Sequence, residues 1–310
     1  MNEGPLIQAE DLAERLEDTA LRIFDCRFDL ARPDAGRAHY DDEHLPGAAY
    51  ADLNRDLSAP RTPGSGRHPL PAPGAFAARL REWGVSGDSV IVAYDDGNSM
   101  YAARLWWLLR WLGHRSALVL DGGMRRWMQL GLPLDETIPS RPPGNFVEHA
   151  HPEFVVGAQE VLAASRDGTT RILDVRAAER YRGDVEPIDA VAGHVPGALN
   201  HPFTSSLGAD GRFLPAAELR AALEERLGGV PPQRTVAMCG SGVTACHLLL
   251  AMEVAGLPGA RLYPGSWSEW SSDPSRPVAR GAAAWHSRSP TPAPTCSASP
   301  RPPRDTATAT

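Results

Sequence analysis

Ala237-Met238-Cys239-Gly240-Ser241-Gly242-Val243-Thr244-Ala245 follows the β-branched pair Thr235-Val236 and leads into a helix-like run ending at Val254. The order predicts a strand, a small-residue loop and a helix, with a thiol at the strand end. Gly240 and Gly242 let the backbone turn through conformations that a side chain would forbid. Successive amide N–H groups in such a loop converge on one point and form an anion nest. The N-terminus of the following helix adds partial positive charge at the same place. A sulfur anion at Cys239 is stabilised by all of these, which marks it as a nucleophile. A merely buried Cys needs neither the flanking glycines nor the Ser241 and Thr244 hydroxyls.

Working outward, the chain repeats itself. In the second half Arg171-Ile172-Leu173-Asp174-Val175-Arg176 and His194-Val195-Pro196-Gly197-Ala198 precede the strand that ends at Cys239. In the first half Leu21-Arg22-Ile23-Phe24-Asp25-Cys26-Arg27 and His44-Leu45-Pro46-Gly47-Ala48 precede Ser89-Val90-Ile91-Val92-Ala93-Tyr94-Asp95. The halves also end alike, Leu120-Asp121-Gly122-Gly123-Met124-Arg125-Arg126-Trp127 matching Tyr263-Pro264-Gly265-Ser266-Trp267-Ser268-Glu269-Trp270. Short β-branched runs alternating with helix-length amphipathic segments predict parallel α/β sheets. Helices are expected over 11–18, 75–83, 102–112, 216–227 and 243–254. Asp95 takes the position of Cys239 when the halves are superposed, so the first half has no nucleophile.

The loop CGSGVTA, the two HxPGA motifs and the YPGSWSEW segment resemble, in order, the signatures of the rhodanese-type sulfurtransferases, specifically their 3-mercaptopyruvate branch. The resemblance spans nearly the whole chain. It implies two tandem rhodanese-like domains, each a five-stranded parallel sheet flanked by helices. The boundaries read as a non-catalytic domain over 1–132, a Pro-rich linker over 133–152 and a catalytic domain over 153–281. Beyond Gly281 the composition shifts to Ala, Pro, Ser and Thr, which predicts a disordered tail over 282–310 that includes Cys296.

Composition bounds the partners. The 310 residues carry a net charge of −7, with 42% hydrophobic and 22% charged residues. That describes an ordinary globular protein and argues against nucleic acid or an anionic membrane as a general partner. Leu105-Trp106-Trp107-Leu108-Leu109 is flanked by Arg104 and Arg110 and is far too short to span a bilayer. The acidic N-terminus carries no visible targeting signal, and the four cysteines form no CxxC pair. The expectation is a cytoplasmic protein without a disulfide framework, metal site or organic cofactor.

The resemblance implies a double displacement in which Cys239 takes sulfur from a donor as a persulfide and hands it on. The acceptor is a small thiol or cyanide, with a thioredoxin-like reductant as the protein candidate. Gly240, Gly242, Val243 and Thr244 line the substrate loop. The thiosulfate branch carries cations inside this loop, where Gly240 and Ser241 are neutral here, which favours a mercaptopyruvate-type monocarboxylate. Ser241 either hydrogen-bonds the donor carbonyl or relays a proton. Arg180, in Glu179-Arg180-Tyr181-Arg182-Gly183, matches the arginine that anchors the donor carboxylate, with Arg182 its competitor. A second anchoring arginine of the animal enzymes has no match, because Ile188 stands there.

By the resemblance His68 matches the histidine of a Ser–His–Asp relay; Asn54 stands at the position of its aspartate, with Asp52 and Asp56 nearby. His44 and His194 recur in both halves and read as turn-forming residues. Trp106, Trp107, Trp111, Trp127, Trp267 and Trp270 read as packing, and Cys246 and His247 have no metal-binding partners in sequence. Two other readings compete. A Cys-dependent phosphatase or arsenate reductase needs an Arg at the loop end, where Ala245 stands. A persulfide carrier that serves one partner protein uses the same thiolate.

Overall fold

The computed structural model describes residues 4–282. The expected tail, apart from its first residue, therefore lies outside the described residues, as does Cys296.

The first half forms a parallel sheet of β1 (Leu6–Ile7), β2 (Leu21–Asp25), β3 (Ala48–Tyr50), β4 (Val90–Tyr94) and β5 (Ala117–Leu120), in the order β1-β5-β4-β2-β3. The second half repeats this order with β6 (Arg171–Asp174), β7 (Leu199–Asn200), β8 (Thr235–Met238) and β9 (Arg261–Leu262), arranged β7-β6-β8-β9. Four strands stand here instead of the expected five. The place of β1 is held by one parallel bridge, Val155 to Leu262, because residues 152–154 immediately before it coil into a 3-10 turn. Strands buried on both faces read as unbroken apolar runs, and all four residues of β8 are buried.

The helices are α1 (Ala9–Ala13), α2 (Ala35–Asp42), α3 (Pro73–Glu82), α4 (Ala102–Trp111), α5 (Gly123–Gln129), α6 (Ala158–Asp167), α7 (Ala178–Arg182), α8 (Ala216–Leu227), α9 (Thr244–Val254) and α10 (Ser266–Trp270). The one marked departure from expectation is α1, which ends at Ala13 rather than Asp18. Asp18 instead closes a turn, its carboxylate accepting from the Ala20 amide and from Arg15.

Helices α4 and α9 pack against each other and fuse the halves through one core. Leu105, Trp106 and Trp107 of α4 share it with Leu248, Leu249 and Met252 of α9. Both helices are apolar nearly all round, as helices walled in on every side must be. Arg110 and Glu253 pair at 3.1 Å at the rim of this contact. Each outer face keeps its own smaller core, built around Trp127 in the first half and Trp267 and Trp270 in the second. Residues 133–152 run extended across the first half, tied by the Phe146, His149 and His151 amides to the Val85, Leu112 and Trp111 carbonyls.

His44 and His194 build matching corners. Each stacks on a tyrosine, Tyr40 or Tyr181, while its Nδ1 meets the carbonyl of that same tyrosine at 2.7 Å and 2.8 Å. His247 lies fully buried against Phe213, and burial pushes it down to about 3. Burial likewise holds His201 down to about 4. Because both folded values lie below the ordinary value near 6.5, acid protonates the unfolded chain first. Their contribution is complete above about pH 6.5 and is lost as pH falls toward the folded values. We expect Tm to fall between pH 7 and pH 5, with a shallower slope in His247→Leu. Calorimetry across that range, with an unchanged slope in the variant, would contradict this.

Candidate active site

Cys239 is the first residue after β8, and the five residues 239–243 carry the chain into α9. The Gly242 amide donates to Cys239 Sγ at 3.2 Å. Gly242 needs its φ of +76° for this turn, and a Cβ there would lie 2.3 Å from the Pro264 carbonyl oxygen. Val243 is the N-cap of α9 and Thr244 its first residue, so the helix N-terminus opens beside the sulfur. The loop is clamped from behind by α10. Ser266 Oγ accepts from the Cys239 amide at 3.0 Å, and the Trp267 and Ser268 amides donate to the Cys239 and Gly240 carbonyls. Ser266 holds this position at φ +52°, a strained value for a residue with a side chain.

The first half shows what the same turn does with a fixed anion. Asp95 follows β4 as Cys239 follows β8, and its carboxylate accepts from the amides of Gly97, Ser99, Tyr101 and Ala102. The loop is two residues longer, and its own side chain fills the nest. This is a direct demonstration within one chain that the strand–turn–helix geometry gathers amides around negative charge.

The first half also supplies walls for the Cys239 loop. Its segment 66–71 docks closely: a Cβ on Gly66 would meet the Gly265 oxygen at 2.7 Å, and the Arg67 amide donates to Ser268 Oγ. This places His68 Nδ1 2.8 Å from Ser241 Oγ. The acid position of the relay, Asn54 by alignment with Asp52 and Asp56 nearby, brings no carboxylate to His68. Asp52 caps its own turn by accepting from the Asn54 and Arg55 amides, and Asp56 pairs with Arg79. Burial, with the Arg104 and Arg67 charges, instead pushes His68 down to about 3, so the imidazole is neutral. The Ser–His contact exists; the carboxylate that completes a relay does not reach it.

Arg104 of α4 is fully buried beneath the loop. Its guanidinium donates to the carbonyls of Gly242 at 3.2 Å, Leu57 at 3.3 Å and His68 at 3.2 Å. Its partners are carbonyls rather than carboxylates, which leaves a positive charge under the sulfur. Cys246, one turn into α9, donates to the Gly242 carbonyl, and its thiol is pushed up to about 12 by burial. Burial also raises the Cys26 thiol well above its ordinary value. Both of these cysteines are held as neutral thiols.

Three further arginines surround the loop, each tied to acid. Arg176 pairs with Asp174 at 2.6 Å and Glu186 at 3.4 Å, lying over the Trp267 ring. Arg180 pairs with Glu186 at 2.6 Å and Asp189 at 3.4 Å, and Arg67 pairs with Asp189 at 2.7 Å. Burial would raise the Glu186 carboxyl, but hydrogen bonds from Arg180 and two amides outweigh it and hold the value down. Arg182 turns away to pair with Asp184 on the surface, and Ile188 is exposed. Of the residues expected at the site, Cys239, Gly240, Ser241, Gly242, Val243, Thr244, His68 and Arg180 all converge here. Sequence reasoning passed over Arg67, Arg104, Asp189 and Ser266. Arg67 adjoins His68, Asp189 adjoins Ile188, Ser266 lies inside the YPGSWSEW motif, and Arg104 interrupts an apolar helix; these placements were their only signals.

The family model for the rhodanese-like domain matches twice, over residues 8–130 and 157–273. The chain belongs to the rhodanese family. It is 49% identical to a probable 3-mercaptopyruvate sulfurtransferase of Pseudomonas aeruginosa, covering 91% of this chain and 100% of that one. It is 43% identical to a putative thiosulfate sulfurtransferase of Mycobacterium tuberculosis, over 90% of this chain and 98% of that one. The crystal structure of the Escherichia coli 3-mercaptopyruvate enzyme superposes with a TM-score of 0.75 at 37% identity, over 86% of this chain and 99% of that one. The protein is a rhodanese-family sulfurtransferase. Among the described residues no helix is long and apolar enough to cross a membrane.

Arg104→Met removes the cation while keeping the volume, and strands several buried carbonyls. We expect a loss of about 3–5 kcal/mol, read as a fall in the denaturant midpoint. The same variant should load sulfur more slowly, because the loop loses its support. A stability loss under about 1 kcal/mol would show that the carbonyls find other donors.

Proposed function

We propose that the protein transfers the sulfur of 3-mercaptopyruvate through a Cys239 persulfide to a thiol or cyanide acceptor, a thioredoxin-like reductant among the candidates. The observation that supports the donor is the balance of charge around the loop. Arg67, Arg176 and Arg180 are matched by Asp174, Glu186 and Asp189. A dianion such as thiosulfate finds little net attraction there beyond Arg104, whereas a monocarboxylate can exchange for one bound side-chain carboxylate. The neutral Gly240 and Ser241 act in the same direction.

In the first half-reaction the Cys239 thiolate attacks the donor sulfur. The new S–S bond forms as the donor C–S bond breaks, and its electron pair passes to carbon as the enolate of pyruvate. The persulfide S–H proton passes to that enolate, giving pyruvate and an anionic persulfide. Neutral His68 in its Nδ1-protonated form donates to Ser241 Oγ. The serine hydroxyl hydrogen is then free to stabilise the enolate oxygen. In the second half-reaction the acceptor attacks the outer sulfur and Cys239 leaves as thiolate. The Gly242 amide, the N-terminus of α9 and the buried Arg104 stabilise both resting anions.

Intact mass after donor treatment should show one added sulfur on the wild type and none on Cys239→Ser, with Cys246→Ser still loading. The kcat/KM for mercaptopyruvate should exceed that for thiosulfate. Loading that survives in Cys239→Ser overturns the nucleophile, and a preference for thiosulfate overturns the donor.

A further inference from the structure

Arg22 and Arg141 bring two positive charges to one point with no acid to balance them. Arg22, in β2, donates through Nε to the Gly84 carbonyl at 2.8 Å. Its Nη1 donates to the Thr19 and Leu21 carbonyls at 2.8 Å and 2.9 Å. Arg141, in the extended run 133–152, donates through Nη1 to the same Leu21 carbonyl at 3.1 Å and through Nη2 to the Gly47 carbonyl at 3.2 Å. The two guanidiniums therefore meet at one oxygen, although like charges so close repel. Burial, with the neighbouring Arg22 charge, lowers Arg141 below its ordinary value. Among the described residues neither arginine pairs with a carboxylate. Carbonyls satisfy donors, but they leave the net charge in place.

A cavity of about 60 Å³ is lined by both arginines and walled by Phe24, Trp83 and Pro139. Its one acid, Glu82, already pairs with Arg79 at 2.9 Å. That volume equals roughly two waters' share of the liquid, which suits one small ion. Leu21 begins β2 and Gly47 precedes β3, so the pair stands at the strand starts, opposite the end of the sheet that carries Asp95. We propose that Arg22 and Arg141 form a binding site for a small tetrahedral oxyanion, which fastens the run 133–152 to the first sheet. Each arginine keeps a donor for it, because Arg22 Nη2 and Arg141 Nε make no hydrogen bond among the described residues. A dianion meets both charges at once through charge-assisted bonds. The site is remote from Cys239 and independent of the choice of sulfur donor.

The test uses inorganic phosphate as the probe on the full chain, with ionic strength and pH matched by chloride buffers. Thermal unfolding and titration calorimetry are run on the wild type, Arg22→Gln, Arg141→Gln and Arg141→Lys. Glutamine keeps a donor for the carbonyls and removes the charge. The wild-type Tm should rise by about 2–5 °C at about 20 mM phosphate, with a Kd of about 1–5 mM. Arg22→Gln and Arg141→Gln should each bind about tenfold more weakly or worse and lose most of the Tm rise. They lie on different elements, so either one carries the test should the other fail to fold. Arg141→Lys should keep part of the affinity, since the charge survives without the planar fork. Acetate, with one charge, should give less than about a third of the phosphate shift. A phosphate shift that survives in both glutamine variants would overturn the inference, because the anion would then sit elsewhere. So would a wild type that responds to phosphate no more than to chloride, or to acetate as strongly as to phosphate.

Discussion

A buried guanidinium without a carboxylate is the constraint on which the site depends. Arg104 leaves one domain and ends beneath the nucleophile loop of the other, spending its donors on the Gly242, Leu57 and His68 carbonyls. A charge so buried is tolerable only when its donors are satisfied and a counter-charge is near. The carbonyls meet the first need, and the Cys239 sulfur, whenever it is an anion, meets the second. The same contacts fix the height of the loop and the position of His68. Docking of the domains and preorganisation of the site are thus one event.

The two halves show how little separates a scaffold from a catalyst. Both carry the strand–turn–helix element, a buried Asp–Arg pair at the end of β2 and of β6, and the histidine corner. In one half a carboxylate at the turn takes four amides and is chemically finished. In the other a shorter turn presents a thiol, whose sulfur takes one amide from Gly242 and leaves the helix end open. The longer side chain of Asp and the two extra loop residues close the first nest on itself.

Most of the architecture was legible because its signals are local. Alternating apolar runs, the glycine-bracketed Cys239 and the duplicated HxPGA corners each report their own neighbourhood. The helix from Thr244 and the parallel sheets follow from them. What sequence could not supply was partnership across the chain. Arg67 reads as an ordinary surface cation until its loop lies against Gly265 and its side chain reaches Asp189. Arg104 reads as an interruption in an apolar helix until the carbonyls that receive it arrive from Leu57 and Gly242. The acid partner of His68 stayed open for the same reason: Asp52 and Asp56 are close in sequence, yet their carboxylates serve their own turn and Arg79. The missing edge strand of the second sheet is the opposite case, a local coil at 152–154 overriding a repeat-based expectation.

A neutral His68 changes what the Ser241 contact can mean. A relay that ends in a carboxylate works by stabilising an imidazolium, and here the nearby charges are the Arg104 and Arg67 guanidiniums, which disfavour one. In the proposed mechanism the task left at Ser241 is to meet charge as it develops on the donor oxygen. A hydroxyl held by a neutral imidazole does that without a proton leaving the pair. The loss of the acid and the gain of two cations are then consistent with each other: the site handles charge by placing fixed dipoles and guanidiniums rather than by moving protons through a chain.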